Sequence, residues 1–334
     1  MLDTHTLLTT LYVMVDDFLN SSEQQQRQIE RARQFPPRRG PQPSLTRAQV
    51  VTLAVFGQWQ RFTSERDFYR WAERHLLEMF PTLPHRTQFN RLQRRYWNEL
   101  NDFWQFLTDH LPVPEQRVGA GYNAMDLTAV PTRDRRRRGS GWLCGQSEVG
   151  RSSRLGWFEG FNLLLCSDEQ GAVTGWALAG ARTKDQPFAD VFLEQRAQRC
   201  PALRQVATVG RALDEGGYYL TDSGFTGRAL HLHWWFDYGA EVITVPQRVG
   251  GPGHQPWHQP WDSGVRHWVA SLRQVVERSF NKLHHTFRLR DERPHQLDGL
   301  MTRIAAKITL HNFCIYINRL LGRKPLAFCD FWDW

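Results

Sequence analysis

A chain of 334 residues with 41% hydrophobic residues, 20 Phe and 14 Trp carries core enough for two domains and is too apolar to be disordered. Its net charge of +8 favours a polyanionic partner over an acidic one. Its five cysteines, odd in number and without a C-x-x-C pair, exclude a disulfide framework or zinc ribbon, and no apolar run or basic-then-apolar start marks a membrane span or secretory signal.

The first ~110 residues read as helical. Leu7, Leu8, Leu11, Val15, Phe18 and Leu19 recur at helical spacing, and Phe35-Pro-Pro-Arg-Arg-Gly-Pro-Gln-Pro-Ser then breaks to a linker. Thr46 opens a second helix through a capping box with Gln49 and a staple of Leu45 on Val50. Ser64 can cap a third helix, ending before Pro81. Thr87 can cap a fourth, with Phe89, Leu92, Tyr96, Leu100 and Phe103 on one side and Arg91, Arg94 and Arg95 on the other. That arrangement suits either a helix-turn-helix reading a major groove or a bundle with a solvated Arg face.

Leu111-Pro-Val-Pro-Glu-Gln connects to a strand-rich region, dividing the chain into residues 1–114 and 115–334. Strands are expected at Gly121–Val130, Gly160–Cys166, Ala172–Ala179, Gly217–Thr221 and Glu241–Val245, the second and third forming a hairpin. Helices should cover Pro187–Arg199 and Arg228–Tyr238. After an irregular stretch at Val249–Gly264 comes a helix bearing Leu272, Val276, Phe280, Leu283 and Phe287, and a last one from Pro294 to Gly322. The expected fold is therefore α/β: a ribonuclease-H-like mixed five-stranded sheet flanked by helices, preceded by an all-α N-terminal domain.

Three carboxylates stand out in this basic chain. Asp126 and Asp222 lie in or at the end of apolar strands, and Glu277 lies in a helix. The expected sheet brings them together, and carboxylates on rigid elements suit Mg2+, where two ions activate a nucleophile and stabilise a leaving oxygen in phosphodiester chemistry. Plain alternatives stand beside this: an Asx turn before Pro131 for Asp126, a turn or cap for Asp222, and an i,i+4 pair with Arg273 for Glu277. Positive charge gathers nearby, with seven Arg against two acids in residues 133–154 and seven basic against three acidic residues in 266–294.

The motifs resemble those of DDE transposases of bacterial insertion sequences, which have a ribonuclease-H-like core. Asp126 with Leu-Thr-Ala-Val-Pro is similar to the first-Asp motif, and Gly156-Trp-Phe-Glu-Gly-Phe-Asn to the second strand. Leu220-Thr-Asp-Ser-Gly-Phe is similar to the second-Asp motif and Val276-Glu-Arg-Ser-Phe-Asn-Lys to the Glu helix. Leu45-Thr-Arg-Ala-Gln-Val resembles the helical region preceding such cores. The resemblance implies Asp126, Asp222 and Glu277 as catalytic metal ligands for two Mg2+ ions, with Mn2+ able to substitute. It implies cleavage of element ends and joining of the 3′-hydroxyl to target DNA. The partners would be double-stranded DNA, as terminal inverted repeats and target, and further copies of the chain in a homodimer or higher oligomer; the setting would be a bacterial cytoplasm at the nucleoid. Two positions depart from the family pattern. Ala270 stands where a Tyr, and His284 where a Lys, would contact phosphate, and Lys282 is a candidate substitute.

The remaining DNA-contact candidates are Arg273, the run Arg133, Arg135, Arg136, Arg137 and Arg138, and Trp257 and Trp261, which could stack on an unpaired base or pack on the sheet edge. His231-Leu-His233 and His284-His285 lack zinc-like partners. The rival functions are a ribonuclease-H-like nuclease that cuts without joining and a domesticated DNA-binding protein.

Overall fold

The computed structural model describes residues 3–34, 42–62, 64–112, 121–133, 143, 145–199, 218–245, 261–292 and 295–331. In chain order these form α1 (Thr4–Asn20), α2 (Ser22–Gln34), α3 (Arg47–Trp59), α4 (Glu65–His75), α5 (Arg86–Arg95) and α6 (Trp97–Asp109). Then come β1 (Tyr122–Arg133), β2 (Glu148–Ser152), β3 (Gly156–Asp168), β4 (Val173–Gly180), α7 (Asp185–Arg199) and β5 (Tyr218–Thr221). The last are α8 (Arg228–Tyr238), β6 (Glu241–Thr244), α9 (Ser263–Asn281) and α10 (Leu297–Leu320). Two compact units result. One comprises Met1–Pro112 with Ser140–Leu143 and Leu283–Trp334, the other Val113–Gly139 with Cys144–Lys282. The linear division at residue 114 differs from this mainly in that residues 283–334 belong with the N-terminal helices.

In the helical unit α3 is buried almost all round, from Ala48 to Trp59, and α10 nearly so, as apolar residues without a polar face require. The two helices pack on each other, and α10 also packs on α6. The Thr46–Gln49 capping box forms in both halves, and Ser64 caps α4. The fourth helix differs from expectation. His85, not Thr87, caps α5, its ring nitrogen accepting from the Thr87 amide. Tyr96 then interrupts the helix: its N–H donates to Leu92 O while its carbonyl accepts from Leu100 N, so α5 and α6 share one residue as cap. The charged side chains buried along α10 are paired, as burial demands. Glu292 forms ion pairs with Arg303 and, at 2.9 Å, with Lys307, and Arg303 also reaches Glu65 at 3.6 Å.

In the other unit the described residues form a six-stranded sheet. β3 runs antiparallel to β1 and to β4, while β5 is parallel to β1 and β6 is parallel to β5. The order β4-β3-β1-β5-β6 is that of the ribonuclease-H-like fold. All five expected strands are present. β2 is additional and shares the outer edge of β3, alongside Gly156–Gly160. It escaped notice because Glu148-Val-Gly-Arg-Ser is short and nearly without apolar residues.

Period two along β1 decides where the acid points. Met125 and Leu127 face a core with Leu164, Phe188, Phe192, Tyr219, Phe225 and Trp234, contributed on the helix side by α7 and α8. Asp126, between them, therefore faces the opposite side, where α9 lies against β1, β3 and β5. The Ser279 hydroxyl anchors α9 by donating to Gly171 O at 2.9 Å, and Val276 and Phe280 are buried beneath it. Gly239 ends α8 in the left-handed region (φ 67°), where a glycine carries no side-chain penalty. α9 stops at Asn281, earlier than the apolar spacing suggested; a π-turn follows at Lys282–Thr286, and Arg288 is left-handed at φ 53°.

Candidate active site

Strand β5 ends at Thr221, and Asp222 follows as the cap of a short 3-10 turn, its Oδ1 accepting from the Gly224 amide at 2.9 Å. Parallel pairing of Ala124 with Leu220 brings this turn beside Asp126. From α9, Arg273 donates through Nη1 to Asp126 Oδ2 at 3.1 Å and through Nη2 to Glu277 Oε1 at 2.6 Å. The planar fork of the guanidinium suits two carboxylates at once. Asp126 Oδ1 also accepts from the Leu127 amide at 2.7 Å. Its side chain is one-fifth exposed, whereas that of Glu277 is half exposed.

Electrostatics separate the acids. Burial pushes the Asp126 carboxyl up to about 7, and the charge of Asp222 adds to this; Arg273 and the Leu127 amide oppose the rise. Asp185, at the start of α7, is also raised, by burial and then by Asp222. A methyl on Gly224 would lie 2.4 Å from Asp185 Oδ2 and 3.0 Å from Asp222 Oδ1, so a fourth carboxylate closes on the same turn. Sequence reasoning missed Asp185; the only signal was an acid in Lys184-Asp-Gln-Pro, at the mouth of an expected helix.

Asp126 and Asp222 are hard oxygen donors suited to a divalent cation, and their mutual repulsion is what such a cation would relieve. One Glu277 oxygen is taken by Arg273, and among the described residues no three acidic, His or Cys side chains converge closely enough to hold one ion together. The donors thus fit a cation first as the Asp126–Asp222 pair. Two plain alternatives are realised as well: Asp222 caps a turn and Glu277 pairs with Arg273.

The other candidates spread out. Arg94 bonds Gln296 Oε1 at 2.6 Å and faces Asp298 at 3.7 Å, tying α5 to the start of α10, while Arg95 lies over the Tyr96 ring and Arg91 is exposed. Lys282 caps the C-terminus of α9, and His284 is buried. Arg133 ends β1. Trp261 lines a pocket with His231, Trp235 and Thr244. Arg135, Arg136, Arg137, Arg138 and Trp257 lie outside the described residues.

Residues 123–313 match the family described as the transposase DDE domain, more than half of the chain. The chain belongs to this family of DDE transposases, whose members carry out DNA transposition with divalent metal ions and act as polynucleotidyl transferases or endonucleases. No curated protein matches it. Among solved structures, the Mos1 strand transfer complex is 13% identical over 84% of this chain and 94% of that one, with a TM-score of 0.19. A pre-cleavage Mos1 transpososome is 13% identical over 85% and 95%, with a TM-score of 0.20. At TM-scores this low neither likeness bears on fold or function. No described helix is long and apolar enough to cross a membrane.

Proposed function

We propose that this protein cuts DNA at the ends of a mobile element and joins the freed 3′-hydroxyl to target DNA, with Asp126, Asp222 and Glu277 as the catalytic carboxylates. The observation that carries the reading is the placement of Asp126 within β1 beside Asp222, which directly follows the neighbouring parallel strand β5, with Glu277 linked to Asp126 through Arg273. Two Mg2+ ions held by these carboxylates would supply Lewis acidity to the attacking and leaving oxygens, and Mn2+ would serve in their place. Asp126 sits within β1 and Asp222 directly after β5, rigid supports that limit reorganisation during the reaction. Arg273 holds the Asp126 and Glu277 carboxylates in position and keeps Asp126 more ionised than burial alone would leave it. In the first step water attacks the end phosphodiester and the 3′-oxygen leaves. In the second, that 3′-hydroxyl attacks a target phosphodiester, losing its proton as the target strand breaks.

Duplex DNA, as inverted repeats and target, is the substrate in this reading, held by Lys282, Arg91 and the Arg133–Arg138 run. The N-terminal helices would pair two ends in a homodimer or larger assembly at the bacterial nucleoid. The test is a joining assay with pre-cleaved end DNA and Mg2+. A strand-transfer product is expected; metal-dependent nicking without any joined product would leave a nuclease instead.

A further inference from the structure

We propose that the groove between the β2–β3 hairpin and the β4–α7 connection binds an unpaired stretch of DNA strand, stacking a base on Trp157 and seating phosphates on Arg151, Arg182 and Lys184. The assignment rests on the DNA-processing function above and adds a site to it. The groove measures about 730 Å³, and its lining includes Asp185 and Gly224, whose amide is the donor to Asp222. The groove therefore borders the Asp185–Asp222 turn, and its size suits a group as large as a nucleotide.

Charge and shape point to the occupant. Among the described lining residues three are cations and one, Asp185, is an acid. Arg151, Arg182 and Lys184 are exposed, and among the described residues none of the three forms an ion pair, so their charge is available to a polyanion. Trp157 is 54% exposed, an unusual position for the largest apolar side chain, and it stands directly opposite Arg151 in the β2–β3 register. Directly opposed residues present their side chains on one face of a hairpin, so ring and guanidinium emerge together. A duplex offers such a surface only phosphates, because its bases are already stacked. An unpaired strand offers a base face as well.

The walls are built to stay in place. Gly150 lets β2 close on the opposite wall, since a Cβ there would lie 2.3 Å from Ala181 O. The Glu148 carboxylate accepts from the Arg182 amide at 3.0 Å. Asn162 Nδ2 donates to Ala181 O at 3.3 Å and to Thr183 O at 3.1 Å. The segment bearing Arg182 and Lys184 is thus tied to β2 and to β3, and little ordering is left to be done on binding.

The test uses the full-length protein, in chelator, with a short duplex bearing a single-stranded extension that carries a fluorescent purine analogue, and a blunt duplex for comparison. Binding of the extension should quench the analogue. Trp157→Leu, which keeps apolar bulk without a ring, should abolish the quench and weaken extension binding roughly tenfold while sparing the blunt duplex. Trp157→Phe should keep most of both. Arg151→Ala, Arg182→Ala and Lys184→Ala should each flatten the logarithmic salt dependence of extension binding by about 0.7. A quench unchanged in Trp157→Leu, or equal losses on blunt and extended DNA, overturns the proposal. Metal-dependent nicking, measured in parallel, separates the two readings. Absence of nicking with the Trp157-dependent quench intact removes the transposase function and leaves the groove, whereas nicking with a Trp157-independent quench removes the groove alone.

Discussion

Asp126 and Asp222 stand level on adjacent parallel strands, each two residues beyond the last paired positions, Ala124 and Leu220. Neighbouring strands lie roughly 4.8 Å apart, so two negative charges are held close on a largely buried surface. The cost is visible in the raised Asp126 carboxyl, and it is a cost that a bound cation removes.

Replacing these acids should separate chemistry from binding. Asp126→Asn and Asp222→Asn are expected to bring cleavage below detection in Mg2+ while gel-shift affinity for DNA is kept. Arg273→Lys retains the charge but not the fork between Asp126 and Glu277, and should lower the cleavage rate by roughly ten- to a hundredfold. Full activity in Asp126→Asn would remove that residue from the site.

The second prediction concerns pH. The folded pKa of Asp126, about 7, lies above the ordinary carboxyl value of about 3.9. Between these values the folded protein keeps a proton that the unfolded chain releases, so metal-free stability falls as pH rises from about 4 to about 7. Asp126→Asn should therefore melt above the wild type at about pH 8 in chelator, by a stability gain on the order of a few kcal/mol, with the gain vanishing near pH 4. Divalent cation should raise the melting temperature of the wild type and not of the variant. Parallel melting curves across the whole range would contradict the upward shift that burial and Asp222 impose on Asp126.

Gly224 offers a third test. A methyl there must displace the carboxylates of Asp185 and Asp222, the nearest atoms to it. Gly224→Ala is expected to cut the cleavage rate with little change in melting temperature, and the loss should be smaller in an Asp185→Ala background, where the nearer carboxylate is gone. Equal losses in the two backgrounds would show that Asp185 does not crowd the turn.

A fourth concerns the helical unit. Burial pushes the Glu292 carboxyl up, but the charges of Arg303 and Lys307 outweigh it and hold the group below its ordinary range. Glu292→Gln leaves Lys307 without its ion-pair partner and Arg303 with Glu65 alone, and should cost roughly 3–5 kcal/mol by denaturant melting. A depressed carboxyl stabilises above its unfolded pKa, about 4.3, and the contribution is lost as pH falls through the folded value. The gap between wild type and variant should accordingly narrow in acid.

The central sheet was legible because its strands are apolar, punctuated by Gly and turn residues, and long enough for period two to show. The neighbourhood of Asp126 was legible for the same reason, since Asp126 interrupts an apolar strand. What escaped depends on contacts distant in sequence. Asp185 acquires its place only when α7 begins beside the Asp222 turn, and β2 only when β3 offers it an edge. The break at Tyr96 was hidden by apolar spacing that stays in phase across it. Arg94 reads as a free basic residue until Gln296 and Asp298 arrive from two hundred residues away.

Apart from Ser140–Leu143, the chain leaves the helical unit near Pro112 and re-enters it at Leu283, so the sheet-bearing unit is covalently an insert within a helical host. Cutting the gene in two at the first boundary would strand α10, with sixteen buried residues, on the wrong fragment and leave α3 and α6 without the helix that covers them. Residues 113–282 are the segment to excise for separate study.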